Sequence, residues 1–219
     1  AATVVLYEVY SGASANLTSV EHLNIDAGDG TDVVVHRSGG TRYLGGAGYD
    51  YFVADWSGFS TALILDMTSN ATTTLSNGIT IGGFEDFDLV LGAGSDRVTV
   101  DGNDYLDAGD VNNTITGGIS GISGATIVSG SGNDTFLNLG GTGNYGINAG
   151  AGDDTAYVKL QDNNTGQGDR AGYLDGGGSL HYLDHGQSHE TNGAFLAQYA
   201  AAATVVLYEV YSGASANLT

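Results

Sequence analysis

The sequence predicts an all-β chain wound into a solenoid. Three observations predict it. First, the kernel G-x-G-x-D occurs five times, ending on Asp32, Asp50, Asp96, Asp134 and Asp154. At this Gly and Asp content, chance gives roughly one copy. Second, the composition suits turns rather than helices. Gly is 37 of 219 residues, Pro and Cys are absent, and the acids are mostly Asp rather than Glu. Glu is the better helix former, whereas Asp with Gly and Asn favours tight, oxygen-rich turns. Third, the segments between kernels alternate apolar and polar residues with a period of two, as half-buried strands do.

The chain opens with AATVVLYEVYSGASANLT (1–18) and closes with the same eighteen residues (202–219). The simplest reading makes 1–201 one unit of a tandem array and 202–219 the start of the next identical unit. An engineered overlap or a duplicated terminal strand is the alternative. TVVLYEVY reads as a strand. Val4, Leu6, Glu8 and Tyr10 share one face, and Val5, Tyr7 and Val9 share the other. Both faces are mostly apolar, so the pattern does not choose the buried one.

Nine-residue blocks follow: AGDGTDVVV (27–35), HRSGGTRYL (36–44) and GGAGYDYFV (45–53). Further blocks are LGAGSDRVT (91–99), SGSGNDTFL (129–137), GGTGNYGIN (140–148) and AGAGDDTAY (149–157). A longer repeat aligns VEHLNIDAGDGTDVV (20–34) with FEDFDLVLGAGSDRV (84–98). In each copy an alternating strand, marked by Leu23 and Ile25 or by Phe87 and Leu89, leads into a kernel loop. TALILDMT (61–68) and ATTTLSNGITI (71–81) read as further strands. GAFLAQYAAAA (193–203) is the one helical candidate, from its Ala content.

Each block supplies one turn and one short strand, or half a solenoid coil. Two residues after each kernel Asp stands Val34, Phe52, Val98, Phe136 or Ala156, which is expected to point into the core. Kernels eighteen residues apart then stack on one side. The Asp32 and Asp50 loops have that spacing. The Asp134 and Asp154 loops are two residues further apart, with Asn138 and Leu139 as the insertion.

Such loops have the ingredients of a calcium site. Calcium takes six to eight oxygens from carboxylates and carbonyls. Gly permits the positive φ that aims carbonyls inward, and Asp adds a charged oxygen on a short stem. Cations are expected between the Asp32 and Asp50 loops and between the Asp134 and Asp154 loops. The candidate ligand positions are Gly28, Gly30 and Asp32; Gly46, Gly48 and Asp50; Gly92, Gly94 and Asp96; Gly130, Gly132 and Asp134; and Gly150, Gly152 and Asp154. Asp104, in the out-of-register DGNDYLDAGD (101–110), is a weaker candidate. Thr41, Tyr145 and Leu180 replace the Asp in their loops, which are expected to hold no ion. Plain metal-free turns are the competing reading.

GGAGYDYFV is similar to the haemolysin-type, or RTX, calcium-binding nonapeptide GGxGxDxUx, without mismatch. The other kernels match except at the first position. The resemblance spans about 20–60 and 84–157 and leaves out 161–201. It implies a parallel β-roll with several calcium ions in its turns, bound by the Asp side chains and the loop carbonyls.

The formal net charge of −20 opposes binding to nucleic acid or to anionic membrane surfaces and favours bound cations. Without them, stacked carboxylates repel. With them, binding free energy becomes folding free energy. Such a chain is expected to stay unfolded at cytosolic calcium and to fold at the cell surface or outside the cell. No run of about 18 apolar residues marks a membrane span. No signal peptide is visible, and targeting signals are expected outside this sequence.

Other chemistry finds little support. His181, His185 and His189 lie four apart beside Asp184 and Glu190, which would make a metal-binding face on a helix, but Gly186 interrupts them. His189-Glu190 is not followed by the remainder of HExxH, and GISGI and GISGA only approach a G-x-S-x-G elbow. The G-x-G loops open no helix, so dinucleotide binding is not expected. The function expected is structural and non-catalytic. It is that of a calcium-stabilised repeat unit of a filament, sheath or surface layer, partnered by copies of itself. A repeat of a large adhesin, binding a glycan, ice or a cell, is the alternative. A third reading is the calcium-binding tail of a secreted enzyme, and the terminal duplication speaks against it.

Overall fold

A computed structural model describes residues 2–8, 14–20, 23–39, 41–118, 124–139, 145–158, 172–176, 179–184, 204–209 and 215–218. Every regular element among them is a β-strand. In chain order these are β1 (Ala2–Glu8), β2 (Ser14–Val20), β3 (Asn24–Gly30), β4 (Asp32–Ser38), β5 (Arg42–Gly48), β6 (Tyr51–Asp55) and β7 (Ile64–Asp66). Then come β8 (Thr73–Thr74), β9 (Thr80–Gly82), β10 (Asp86–Val90), β11 (Arg97–Val100), β12 (Tyr105–Asp107), β13 (Thr114–Gly117) and β14 (Thr126–Val128). The last are β15 (Thr135–Leu139), β16 (Tyr145–Gly150), β17 (Thr155–Val158), β18 (Gly172–Gly176), β19 (Ser179–Asp184), β20 (Thr204–Glu209) and β21 (Ser215–Leu218). The helical candidate 193–203 lies outside the described residues.

The strands stack as a β-solenoid, the fold class the sequence predicts. One sheet runs β18-β16-β14-β12-β10-β6-β4-β1-β2, and a second runs β21-β20-β19-β17-β15-β13-β11-β7. From β10 to β19 the chain alternates between them, and each strand pairs in parallel with the next one of its own sheet. A third, smaller sheet, β3-β5-β9-β8, partners the first coils. The two copies of the long repeat therefore differ in placement: β3 belongs to the small sheet and β10 to the nine-stranded one. The 57–83 excursion makes that change. Within it, the expected strands over 61–68 and 71–81 shrink to β7, β8 and β9.

The core lies between the sheets. Val34, Phe52, Val98, Phe136 and Ala156, two residues after each kernel Asp, are all buried, as the spacing predicts. Leu89, Leu106, Ile115, Ile127 and Ile147 fill the other inward positions. The register slips between Phe136 and Leu139, at the two-residue insertion read from the kernel spacing. The wide first coils are filled by aromatic rings. Phe52 packs against Tyr43, Trp56, Phe84 and Phe87 with centroids 5.0–6.4 Å apart, within the range of favourable ring contacts.

The described strands of the first segment, β1 and β2, pair antiparallel in the same register as those of its copy, β20 and β21. Val4 pairs with Leu17 and Tyr7 with Ser14 in one; Val205 pairs with Leu218 and Tyr208 with Ser215 in the other. The two dock differently. β1 lies antiparallel to β4 in the nine-stranded sheet, and β20 lies parallel to β19 in the other.

His36 ties the aromatic cluster to the backbone. Trp56 Nε1 donates to His36 Nδ1 at 3.0 Å, which leaves Nε2 protonated to donate to the Gly39 carbonyl at 2.7 Å. The imidazole is neutral in this arrangement, and burial lowers its pKa below 6.5. A lowered folded pKa gives stability that is complete above pH 6.5 and lost as pH falls through the folded value. The stability gap between the wild type and His36→Gln is therefore expected to narrow as pH drops from 8 towards 5 in thermal melts. A pH-independent gap would refute this assignment.

Candidate metal sites in the stacked loops

The kernel loops form two rows on the solenoid. One row, 28–32 and 46–50, enters strands of the nine-stranded sheet, and residues 82–85 continue it. The other, 92–96, 130–134 and 150–154, enters strands of the eight-stranded sheet. Within each row the backbones lie on top of one another. Gly28 pairs with Gly46 and Gly30 with Gly48. Ala151 donates to the Gly130 carbonyl at 2.9 Å and Gly132 to the Ala151 carbonyl at 2.8 Å. Gly is required by this contact. At Gly46 and Gly48 φ is 115° and 141°, and a Cβ would fall onto the carbonyl oxygens of Gly28 and Gly30. Gly150 and Gly152 stand in the same relation to Gly130 and Gly132.

The kernel Asp side chains turn inward. Asp32, Asp50, Asp96, Asp134 and Asp154 are all buried. In four of them one oxygen accepts a backbone N–H of the preceding coil. Asp50 Oδ1 accepts from Asp32 N at 2.8 Å, Asp96 Oδ1 from Leu63 N at 2.7 Å, and Asp154 Oδ1 from Asp134 N at 2.9 Å. Asp134 Oδ1 accepts from Asn113 N at 2.7 Å, and Asn113 Oδ1 from Asp96 N at 2.9 Å. The result is a continuous side-chain ladder, Leu63–Asp96–Asn113–Asp134–Asp154. The next strand position in register is Leu180, which offers no acceptor.

The second oxygen has a different fate. Oδ2 of Asp50, Asp96, Asp134 and Asp154 is buried without a hydrogen-bond partner. At Gly45 a Cβ would fall between Asp50 Oδ2 and the Gly83 carbonyl oxygen, so these two acceptors face one gap. A buried carboxylate oxygen left without a donor is disfavoured. Burial accordingly raises the pKa of Asp50, Asp134 and Asp154, and that of Asp96 to about 6. A raised carboxyl pKa makes the cation-free fold lose stability as pH rises from 3.8 through the folded value. A hard cation with oxygen ligands would remove that penalty; each position supplies one free carboxylate oxygen, and at Asp50 the Gly83 carbonyl lies beside it. Among the described residues no three His, Cys, Asp or Glu side chains converge. Any ion here would thus be held largely by backbone carbonyls.

Asp104 is arranged differently. Its Oδ1 accepts from Phe87 N and its Oδ2 from Asp101 N, both at 3.0 Å. It lacks the unpartnered oxygen of the other four. Thr41 donates its hydroxyl to Asn24 Oδ1 at 3.1 Å. His181 and Asp184 lie in strand β19 rather than on a helix, and residues 185–190 are outside the described residues.

Two ladder members escape the kernel pattern. Glu85 Oε2 accepts from Asp50 N at 2.7 Å, continuing the first row in GGFED (82–86). Asn113 closes the loop GDVNN (109–113), which stacks between the Asp96 and Asp134 loops. The clue to the latter is Gly109, four residues before Asn113, as Gly92 is before Asp96. Val111 occupies the place of Gly94 and Gly132 with φ 83°, a conformation that costs a β-branched residue about 1–2 kcal/mol.

Replacing Val111 by Gly is expected to stabilise the protein by about 1 kcal/mol, because the side chain is exposed and the strain is relieved. Chemical denaturation checks it, and a destabilised variant would show that Val111 is unstrained. No protein-family model, curated protein or solved structure matches this chain, so the loops stand on their own geometry.

Proposed function

We propose that this chain is a calcium-stabilised structural repeat of an extracellular filament, sheath or surface layer, without catalytic activity. The observation that carries the reading is the set of buried Asp oxygens without partners, each at the end of a stacked, glycine-built loop. Calcium suits them because it is hard, tolerates irregular coordination and accepts carbonyl oxygens. The ligands would be the Asp carboxylates of the five kernels with the carbonyls of their loops, as the RTX resemblance implies. The net charge of −20 acts in the same direction, since each ion bound offsets part of the self-repulsion. Extracellular placement follows from the chemistry, because millimolar calcium would occupy sites too weak to fill in a cytosol.

The polymeric part of the reading is supported by the recurring hairpin. One segment pairs with the first parallel strand of the solenoid at one end and with the last at the other, in the same internal register. End-to-end association of such a unit gives a fibre. The adhesin reading draws on a different feature. Thr114, Thr135 and Thr155 sit side by side on the outer face of the eight-stranded sheet, with Thr99 and Thr116 in the next row. This run of hydroxyls, flanked by Arg97 and Leu137, would suit a glycan or another ordered polar surface.

Negative-stain microscopy and circular dichroism in millimolar calcium and in EGTA test the proposal. Expected are regular fibres and full β-signal in calcium, with fraying and loss of β-signal in EGTA. Unchanged β-structure in EGTA would overturn calcium dependence. Monomeric particles in calcium would overturn the filament.

A further inference from the structure

The loop that lacks a kernel Asp shows what the others are missing. Asn113 stands in the ladder between Asp96 and Asp134: its Oδ1 accepts from Asp96 N and its own backbone N–H donates to Asp134 Oδ1. Its second side-chain atom is an amide nitrogen. Nδ2 donates to the Gly109 carbonyl at 3.2 Å and to the Val111 carbonyl at 3.0 Å. The assignment of the amide is set by its partners, because only an oxygen can accept from Asp96 N. Asn113 is buried and fully hydrogen-bonded at this point, whereas Oδ2 of Asp96 and of Asp134, on either side, has no partner. The carbonyls at the equivalent sequence positions belong to Gly92 and Gly94, and to Gly130 and Gly132, and of these the second pair shares the positive φ of Gly109 and Val111.

We propose that the Asn113 amide replaces a bound cation, so that the 109–113 loop closes without metal between two loops that need it. The reasoning is geometric. In the Asp96 and Asp134 loops the atom corresponding to Nδ2 is an acceptor oxygen without a partner, and at Asp134 the loop backbone has the same positive φ at Gly130 and Gly132 as at Gly109 and Val111. An acceptor cannot bond to a carbonyl, and only a positive charge or a donor can join them. Asn supplies the donor within the chain. It is neutral, so it adds nothing to the repulsion along the ladder. The coil of β12 and β13 is therefore the cation-independent centre of the second row, and Asn113 sets how many ions that row takes. This inference rests on the reading of the Asp loops as calcium sites.

The test exchanges the two residue types in the whole chain. Asn113→Asp is expected to gain one calcium ion per chain by equilibrium dialysis and to melt at a lower temperature than the wild type in EGTA. Asp134→Asn is expected to do the opposite, binding one ion fewer and melting higher in EGTA, because its amide can reach the Gly130 and Gly132 carbonyls. Asp134→Ala is the control. It removes the ladder acceptor as well and is expected to melt lower in EGTA. Should N113D fail to fold in EGTA, the D134N and D134A pair still decides the matter. Equal calcium counts and equal EGTA melting temperatures for N113D and the wild type would overturn the inference. So would a D134N protein as unstable in EGTA as D134A. If the wild type itself takes up no calcium, the cation reading of the loops fails separately. The order of metal-free stability, N113D below wild type below D134N, then remains to be confirmed or refuted on its own.

Discussion

The structure depends on one contact: the hydrogen bond from a backbone N–H of one coil to a side-chain oxygen of the next, a carboxylate everywhere but at Asn113. It runs from Leu63 through Asp96, Asn113 and Asp134 to Asp154 along one edge, and from Asp32 through Asp50 to Glu85 along another. A hydrogen bond to a charged acceptor is among the stronger ones a protein makes, at about 1.5–3 kcal/mol net. Here it fixes the stacking distance and the register of each strand at its first residue. To make it, the side chain must turn inward, and that buries the carboxylate. The same residue therefore locks two coils together and creates an unmet electrostatic demand.

Most features of the loops follow from that demand. Their glycines let successive backbones approach until carbonyl oxygens replace the space a Cβ would take. The carbonyls thereby gather near an oxygen that cannot donate to them. A solenoid of this kind is held in balance between a well-satisfied ladder and a poorly satisfied row of acceptors. Apolar burial adds the rest, from the aromatic cluster around Phe52 to the small Ala156. Because each coil contacts only its neighbours, a change in one loop is felt by the two beside it and little further. Asn113 is informative for this reason: its amide meets the demand locally, in the middle of a row.

The ends of the solenoid pose the other physical problem, the unpaired strand edge. An identical hairpin covers the parallel stack at both ends, running antiparallel to β4 in one place and parallel to β19 in the other. A strand has two edges. With its hairpin closed, one copy of the segment can pair outward with one neighbour only. β2 and β21 border the two large sheets, and their outer edges are unpaired among the described residues.

Much of this was legible in the residues. The G-x-G-x-D kernels located the loops, the residue two beyond each Asp located the core, and the Asn138–Leu139 insertion located a register slip. Those features are local, since a turn and the strand that leaves it are set by a few adjacent residues. What the sequence did not reveal depends on contacts between coils. Glu85 and Asn113 join the ladder although neither closes a G-x-G-x-D kernel, because stacking places their side chains where an acceptor is needed. Asp104 follows another of its kind in the chain but finds two N–H donors instead of one. The sequence by itself determined that the chain is a repeating β-structure with oxygen-rich turns. Only the tertiary structure decided which of those oxygens are satisfied, because apart from Asp101 N their partners lie 17 to 35 residues away.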